Sequence, residues 1–315
     1  MTYFLLLCGL LFLICGGELL VRGATAVAIK FKVSPLLIGL TLVGFGTSMP
    51  ELVTSVEAAF ANAPGIAVGN VIGSNIANAL LIMGLAAMIM PVTIQKNSLK
   101  RDGIALAIAT IMCLIAVRFG HLTNWIGMIF LACLAAYIFI AFQQERNQVS
   151  VNDDMQPKVS PAVHTIFPAI IMVIAGFVLT IAGAKFLVQS SIILATALGV
   201  SKTVIGLTIV AVGTSLPELV ISVVAALRGQ SALAFGNVIG SNIYNIFGIL
   251  GVTALIKPIE VPPQIRDIDI WVLGATTVFL LIAAFTNRRI SRAEGSIMLI
   301  AYLAYALSLT LRVAA

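Results

Sequence analysis

Charged residues are scarce: Asp, Glu, Lys and Arg together make up 10% of the 315 residues, against 60% that are hydrophobic. A soluble domain needs far more charge to cover its surface, and a mean hydropathy of +1.12 puts the chain in a membrane instead. Aromatic residues are few (7%), and the apolar runs lack the alternation of a membrane strand, which excludes a β-barrel. Histidine occurs only at His121 and His164, outside any motif. The cysteines, Cys8, Cys15, Cys113 and Cys133, lie inside apolar runs without metal-ligand spacing and read as small core residues. A zinc or copper centre is therefore not expected. No basic patch is interleaved with aromatics, so nucleic acid is not an expected partner; membrane lipid is.

Crossing a hydrocarbon core takes about 20 apolar residues. Ten runs meet that need, near 2–28, 35–61, 65–90, 103–119, 122–142, 163–195, 202–227, 232–256, 268–286 and 293–312. The first lacks a basic leader and is too long for a signal peptide. The hydrophilic stretch Gln143–Ser160 divides the chain into two sets of five runs, 1–143 and 163–315, with 144–162 as linker. Lys30, Lys32, Lys96, Lys100, Arg101, Arg146, Lys158, Arg228, Arg288, Arg289 and Arg292 fall on the linker's side. Only Arg118, Lys202, Lys257, Arg266 and Arg312 fall on the other. Cytoplasmic loops carry the excess of Lys and Arg, so the linker is expected inside and both termini outside. Five being odd, the second set then runs upside down relative to the first. The expected fold class is an all-α integral membrane protein of ten transmembrane helices in two inverted five-helix repeats.

Against this apolar background one stretch occurs twice: Gly46-Thr47-Ser48-Met49-Pro50-Glu51 and Gly213-Thr214-Ser215-Leu216-Pro217-Glu218, 167 residues apart. The same offset aligns 16–89 with the second half without a gap, and motif stretches 38–89 and 205–256 correspond. Ile38-Gly39-Leu40-Thr41 returns as Ile205-Gly206-Leu207-Thr208. Gly69-Asn70-Val71-Ile72-Gly73-Ser74-Asn75-Ile76 returns as Gly236-Asn237-Val238-Ile239-Gly240-Ser241-Asn242-Ile243. Inverted repeats with helices interrupted at matching positions point to a transport site at the repeat interface.

Pro50 has no N–H for the carbonyl of Gly46, and its ring disturbs the preceding turn; Pro217 repeats this. Broken helix at membrane depth is tolerated where it lines a cavity. Thr47, Ser48 and Glu51 share one helix face by their spacing, as do Thr214, Ser215 and Glu218. A lone proline is as often a simple kink, but an adjacent carboxylate inside an apolar run is functional by default. Ser74 and Asn78 are spaced i, i+4, as are Ser241 and Asn245. Gly69 with Gly73, and Gly236 with Gly240, have the spacing that lets helices approach closely. Asn70, Asn75, Asn237 and Asn242 read equally well as interhelical glue. The donors are all oxygen, which suits a hard cation, Ca2+ above all. Two facing carboxylates balance one Ca2+, and both cannot stay ionised when the site is empty, which favours obligatory exchange. Glu18 and Arg22 are spaced to pair, Lys185 is the repeat equivalent of Glu18, and Glu57 lies near a span end from which it can snorkel.

On the two Gly-Thr-Ser-x-Pro-Glu stretches and the two Gly-Asn-Val-Ile-Gly-Ser-Asn-Ile stretches, nearly the whole chain resembles the cation/calcium exchanger family, in its compact prokaryotic Na+/Ca2+ form. The resemblance implies a Ca2+ site of Glu51 and Glu218 carboxylates with Thr47 and Thr214 carbonyls. It implies Na+ sites using Ser48 and Ser74 on one flank and Ser215 and Ser241 on the other, with carbonyls from Gly44 and Ala211 and with Asn78 and Asn245 lining the middle. It also implies that the first and sixth spans slide as a gate. Some prokaryotic relatives carry Asp at the position of Asn245; here both repeats have Asn, so Glu51 and Glu218 hold all the negative charge. The Gly-Asn-x-x-Glu motifs of the proton-coupled branch are absent, which favours Na+ as counter-ion. The expected function is Na+/Ca2+ antiport in a prokaryotic inner membrane, with no cofactor and no obligatory protein partner. The alternatives are Ca2+/H+ antiport, exchange of another divalent cation, a passive cation channel, and an intramembrane hydrolase. The last would need a base at depth, where only Lys185 is available.

Overall fold

Without water to bond backbone groups, a chain inside a bilayer must satisfy every N–H and C=O internally, and helices do so within one segment. The computed structural model, which describes residues 2–31, 34–94, 96–149, 166–197, 211–286 and 288–314, is accordingly almost wholly helical. Helix α1 covers Thr2–Phe31, α2 covers 35–47, α3 Met49–Phe60, α4 Pro64–Ile89, α5 Lys96–Arg118 and α6 Asn124–Val149. After the linker come α7 (Ile166–Ala197), α8 (Ala211–Thr214), α9 (Leu216–Leu227), α10 (Ser231–Ile256), α11 (Ile265–Phe285) and α12 (Arg292–Ala314). Helix α6 runs on into the stretch expected as linker; the rest of that stretch, and Ile205-Gly206-Leu207-Thr208, lie outside the described residues.

Six of the described helices, α1, α4, α6, α7, α10 and α11, are long and apolar enough to cross a membrane. The other four expected spans are not among these six. Residues 35–61 are cut at Ser48 into α2 and α3, and the 202–227 span begins outside the described residues. Helices α5 and α12 open on charged turns, with Lys96, Lys100, Arg101 and Asp102 in one and Arg292 and Glu294 in the other.

Helices α4 and α10 form the centre: 72% and 83% of their most apolar windows are buried, against 33% and 28% for α1 and α7 at the periphery. Helix α1 lies antiparallel against α7 along a seam of small residues. A Cβ on Gly16 would come 2.7 Å from the backbone nitrogen of Thr180, and one on Gly183 would come 2.8 Å from that of Leu13. The two backbones therefore touch, as small-residue spacing allows in lipid. The expected close approach at Gly240 is present too, against the backbone of Leu40. At Gly73 no described residue lies within 4 Å of a Cβ; the position equivalent to Leu40, Leu207, is outside the described residues.

Two short antiparallel ribbons tie the loops. Strand β1 (Val92–Thr93) pairs with β4 (Arg289–Ile290), and β2 (His121–Leu122) pairs with β3 (Ile259–Glu260), so each ribbon joins one half to the other. Contacts at the sequence offset of 167 also join the halves: the hydroxyls of Thr110 and Thr277 bond at 3.1 Å, and the Asn242 amide donates to the carbonyl of Asn75 at 3.4 Å.

Two details depart from expectation. The cysteines are not uniformly core residues: Cys113 is buried, Cys15 is exposed and the other two are intermediate. An outward-facing thiol is tolerated because lipid, unlike water, exacts no penalty for small apolar surface. Arg101, read only as a loop cation, is partly buried on α5, its side chain 7% exposed, with its Nε 2.6 Å from the buried Asp102 carboxylate, which also accepts the Tyr137 hydroxyl at 3.2 Å. In the second half Tyr305 donates likewise to Asp269, the equivalent of Asp102, at 3.3 Å.

Candidate cation site

The site is built from the two helix breaks. Ser48 has φ −84° and ψ 7°, outside the helical region, and Ser215 has φ −90° and ψ 9°. Each therefore caps a new helix, α3 or α9, whose second residue is the proline and whose third is the glutamate. Proline suits this place because the first-turn N–H groups lack intrahelical partners anyway. A serine at such a cap normally turns its oxygen to a first-turn N–H. Neither does so here. The Ser48 hydroxyl instead donates to Glu218 Oε1 at 2.9 Å, and the Ser215 hydroxyl donates to Glu51 Oε1 at 3.1 Å. Each half of the chain thus holds the carboxylate of the other. Both glutamates are fully buried, and each sits in the positive first turn of its own helix.

Behind the carboxylates stand two asparagines. The Asn70 amide donates to the Glu51 carbonyl at 3.0 Å and to Ser55 Oγ at 2.9 Å. The Asn237 amide donates to the Glu218 carbonyl at 3.2 Å and to Ser222 Oγ at 2.9 Å. Both clamp the first turn of α3 or α9 to the neighbouring core helix, so the interhelical reading holds for them. Asn75 instead donates to Val71 in its own helix. Ser55 and Ser222 were missed in the sequence, although they recur at the offset of 167 and could have been found by it.

Thr47, Ser74, Asn78, Ser241 and Asn245 are buried in the same core, and Ser215 with them; Thr214 is half-buried, and the side chain of Ala211 is not described. The Thr47 hydroxyl donates to the carbonyls of Val43 at 3.0 Å and Gly44 at 3.3 Å. The Gly44 carbonyl also faces the Ser241 hydroxyl at 3.4 Å. What remains is a set of buried oxygens with no hydrogen-bond partner among the described residues: Oε2 of both glutamates and Oδ1 of Asn75, Asn78, Asn242 and Asn245. Orphaned buried acceptors are costly. Two of these are carboxylate and four are amide oxygens, donor chemistry that suits an oxygen-bound hard cation.

The comparisons with known proteins agree with this chemistry. A family model described as sodium/calcium exchanger protein matches residues 1–143 and 168–311. The sodium/calcium exchanger MaX1 of Methanosarcina acetivorans is 35% identical, the match covering 96% of this chain and 97% of that protein. The inner membrane protein YrbG of Escherichia coli is 31% identical, over 93% of this chain and 92% of that one. Among solved structures, the sodium-calcium exchanger NCX_Mj superposes with a TM-score of 0.85 at 32% identity, covering 98% of both chains. This chain belongs to the sodium/calcium exchanger family of membrane ion antiporters.

Proposed function

We propose that the protein exchanges Na+ for Ca2+ by alternating access and runs as a Ca2+ efflux system in a prokaryotic inner membrane. The observation that carries this is the reciprocal pair of bonds, Ser48 to Glu218 and Ser215 to Glu51, with the second oxygen of each carboxylate left unpartnered. Two carboxylates neutralise one Ca2+. Without it they repel each other in a water-poor core, and the empty site resists moving unless other cations replace the lost charge. Asn78 and Asn245 add no titratable group, which supports Na+ over H+ as that replacement. In this reading Glu51, Glu218, Thr47 and Thr214 hold Ca2+. Ser48, Ser74, Ser215 and Ser241, with the Gly44 and Ala211 carbonyls, hold Na+, and Asn78 and Asn245 line the space between.

The architecture proposed is ten transmembrane helices in two inverted repeats, 1–143 and 163–315, with both termini outside and 144–162 in the cytoplasm. The antiparallel seam of α1 on α7 and the contacts at an offset of 167 support it. If three Na+ exchange for one Ca2+, as the family resemblance implies, one net charge moves per cycle, and a 100 mV potential, negative inside, contributes about 2.3 kcal/mol towards efflux. Purified protein in vesicles is expected to take up Ca2+ when Na+ is trapped inside and to ignore an imposed pH gradient. Uptake that followed pH and not Na+ would overturn the choice of counter-ion.

A further inference from the structure

A cavity of about 550 Å³ opens beside the cation site. It is walled by Pro50 and Thr54 of α3, by Thr214 and Pro217 at the second helix break, and by Lys185 of α7. Lys185 is the one charged residue among those described as lining it, and it is exposed. It forms no ion pair with a described residue. The repeat-equivalent place on α1 has the opposite character. There Glu18 carries negative charge and is held by Arg22 and by Arg228, whose Nε lies 3.0 Å from Glu18 Oε2. The adjoining Gly17 is packed so that a Cβ would come 2.7 Å from Val220. One half thus offers a paired anion in a packed seam, and the other a single ammonium facing an open cavity.

We propose that Lys185 is a specificity-determining residue, a fixed positive charge at the entrance to the cation site that weighs divalent against monovalent cations. The proposal rests on reading the buried glutamates as a transport site entered through this cavity. Repulsion by a fixed charge scales with the valence of the ion, so its effect on a divalent ion is twice that on a monovalent ion on a logarithmic scale. The ammonium therefore lowers Ca2+ occupancy of the entrance more than Na+ occupancy. Removing the charge is expected to favour Ca2+, and reversing it to do so twice over.

The test is exchange in vesicles reconstituted with wild type, Lys185→Gln, Lys185→Glu and Lys185→Arg, with half-saturating Ca2+ and Na+ measured on the side to which the cavity opens. At low ionic strength Lys185→Gln is expected to lower half-saturating Ca2+ about threefold and Lys185→Glu about tenfold, for a charge about 10 Å from the ion's path. The shift for Na+, per ion, is expected to be the square root of each. Lys185→Arg should match wild type, and all differences should shrink when an impermeant salt shortens the screening length. Equal shifts for the two ions, no shift in either, or shifts indifferent to ionic strength would overturn the proposal while leaving the exchange function standing. Wild-type vesicles without cation exchange would overturn the reading of the site, and the proposal with it.

Discussion

Asn237→Ala tests whether the first turn that carries Glu218 is clamped to the core as described. The amide nitrogen of Asn237 donates to the Glu218 carbonyl and to Ser222 Oγ, and its Oδ1 accepts the Thr47 hydroxyl at 3.4 Å. Each is worth about 0.5–1.5 kcal/mol net, and a buried group left without its partner costs about 1–3 kcal/mol. Asn237 and Ser222 are fully buried, so nothing replaces the lost bonds and the expected loss is about 2–4 kcal/mol. Asn70 makes the two equivalent donor bonds but is only half-buried. Groups vacated by Asn70→Ala have a route to other partners, and its loss is expected to be about half as large. Equilibrium unfolding of the two variants in detergent gives both values, and Ca2+ titration should show weaker binding in the same order. Asn237→Ala with wild-type stability and Ca2+ affinity, or Asn70→Ala as the more damaging change, would refute the reasoning.

Glu51→Gln and Glu218→Gln are each expected to abolish exchange while leaving the protein folded, because an amide still accepts the partner serine's hydroxyl but removes half the charge of the site; normal Ca2+ flux in either variant would sink the two-carboxylate reading. In Gly46→Ala the new Cβ would fall 2.1 Å from the Phe177 ring, an overpacking that costs about 1–3 kcal/mol. Adding Phe177→Ala should restore the lost stability, as thermal unfolding would show. A cysteine placed in 150–160 is expected to resist membrane-impermeant thiol reagents added outside intact cells; labelling there would contradict the proposed orientation.

Much of this was legible in the sequence because its physics is local. Low charge and long apolar runs demand a bilayer and helices. Pro50 and Pro217 lack an N–H, so breaks near Ser48 and Ser215 follow from covalent structure. The offset of 167 relates Glu51 to Glu218 and Asn70 to Asn237 without any coordinates. Other features had no local signal. Phe177 against Gly46 depends on where α7 lies, and the burial of Asp102 beside Arg101 depends on Tyr137 being brought to it from another helix.

The sequence by itself determined the membrane setting, the interrupted helices and the oxygen-only chemistry of the candidate site, because composition and backbone covalency act over a few residues. Only the tertiary structure decided that Ser48 holds Glu218 and Ser215 holds Glu51, and not each its own neighbour. A serine three residues from a glutamate at a helix start could reach the local backbone or a distant carboxylate. Packing α3 and α9 each against both α4 and α10 brings the distant partner within hydrogen-bond range, and that choice makes one candidate site from two half-sites.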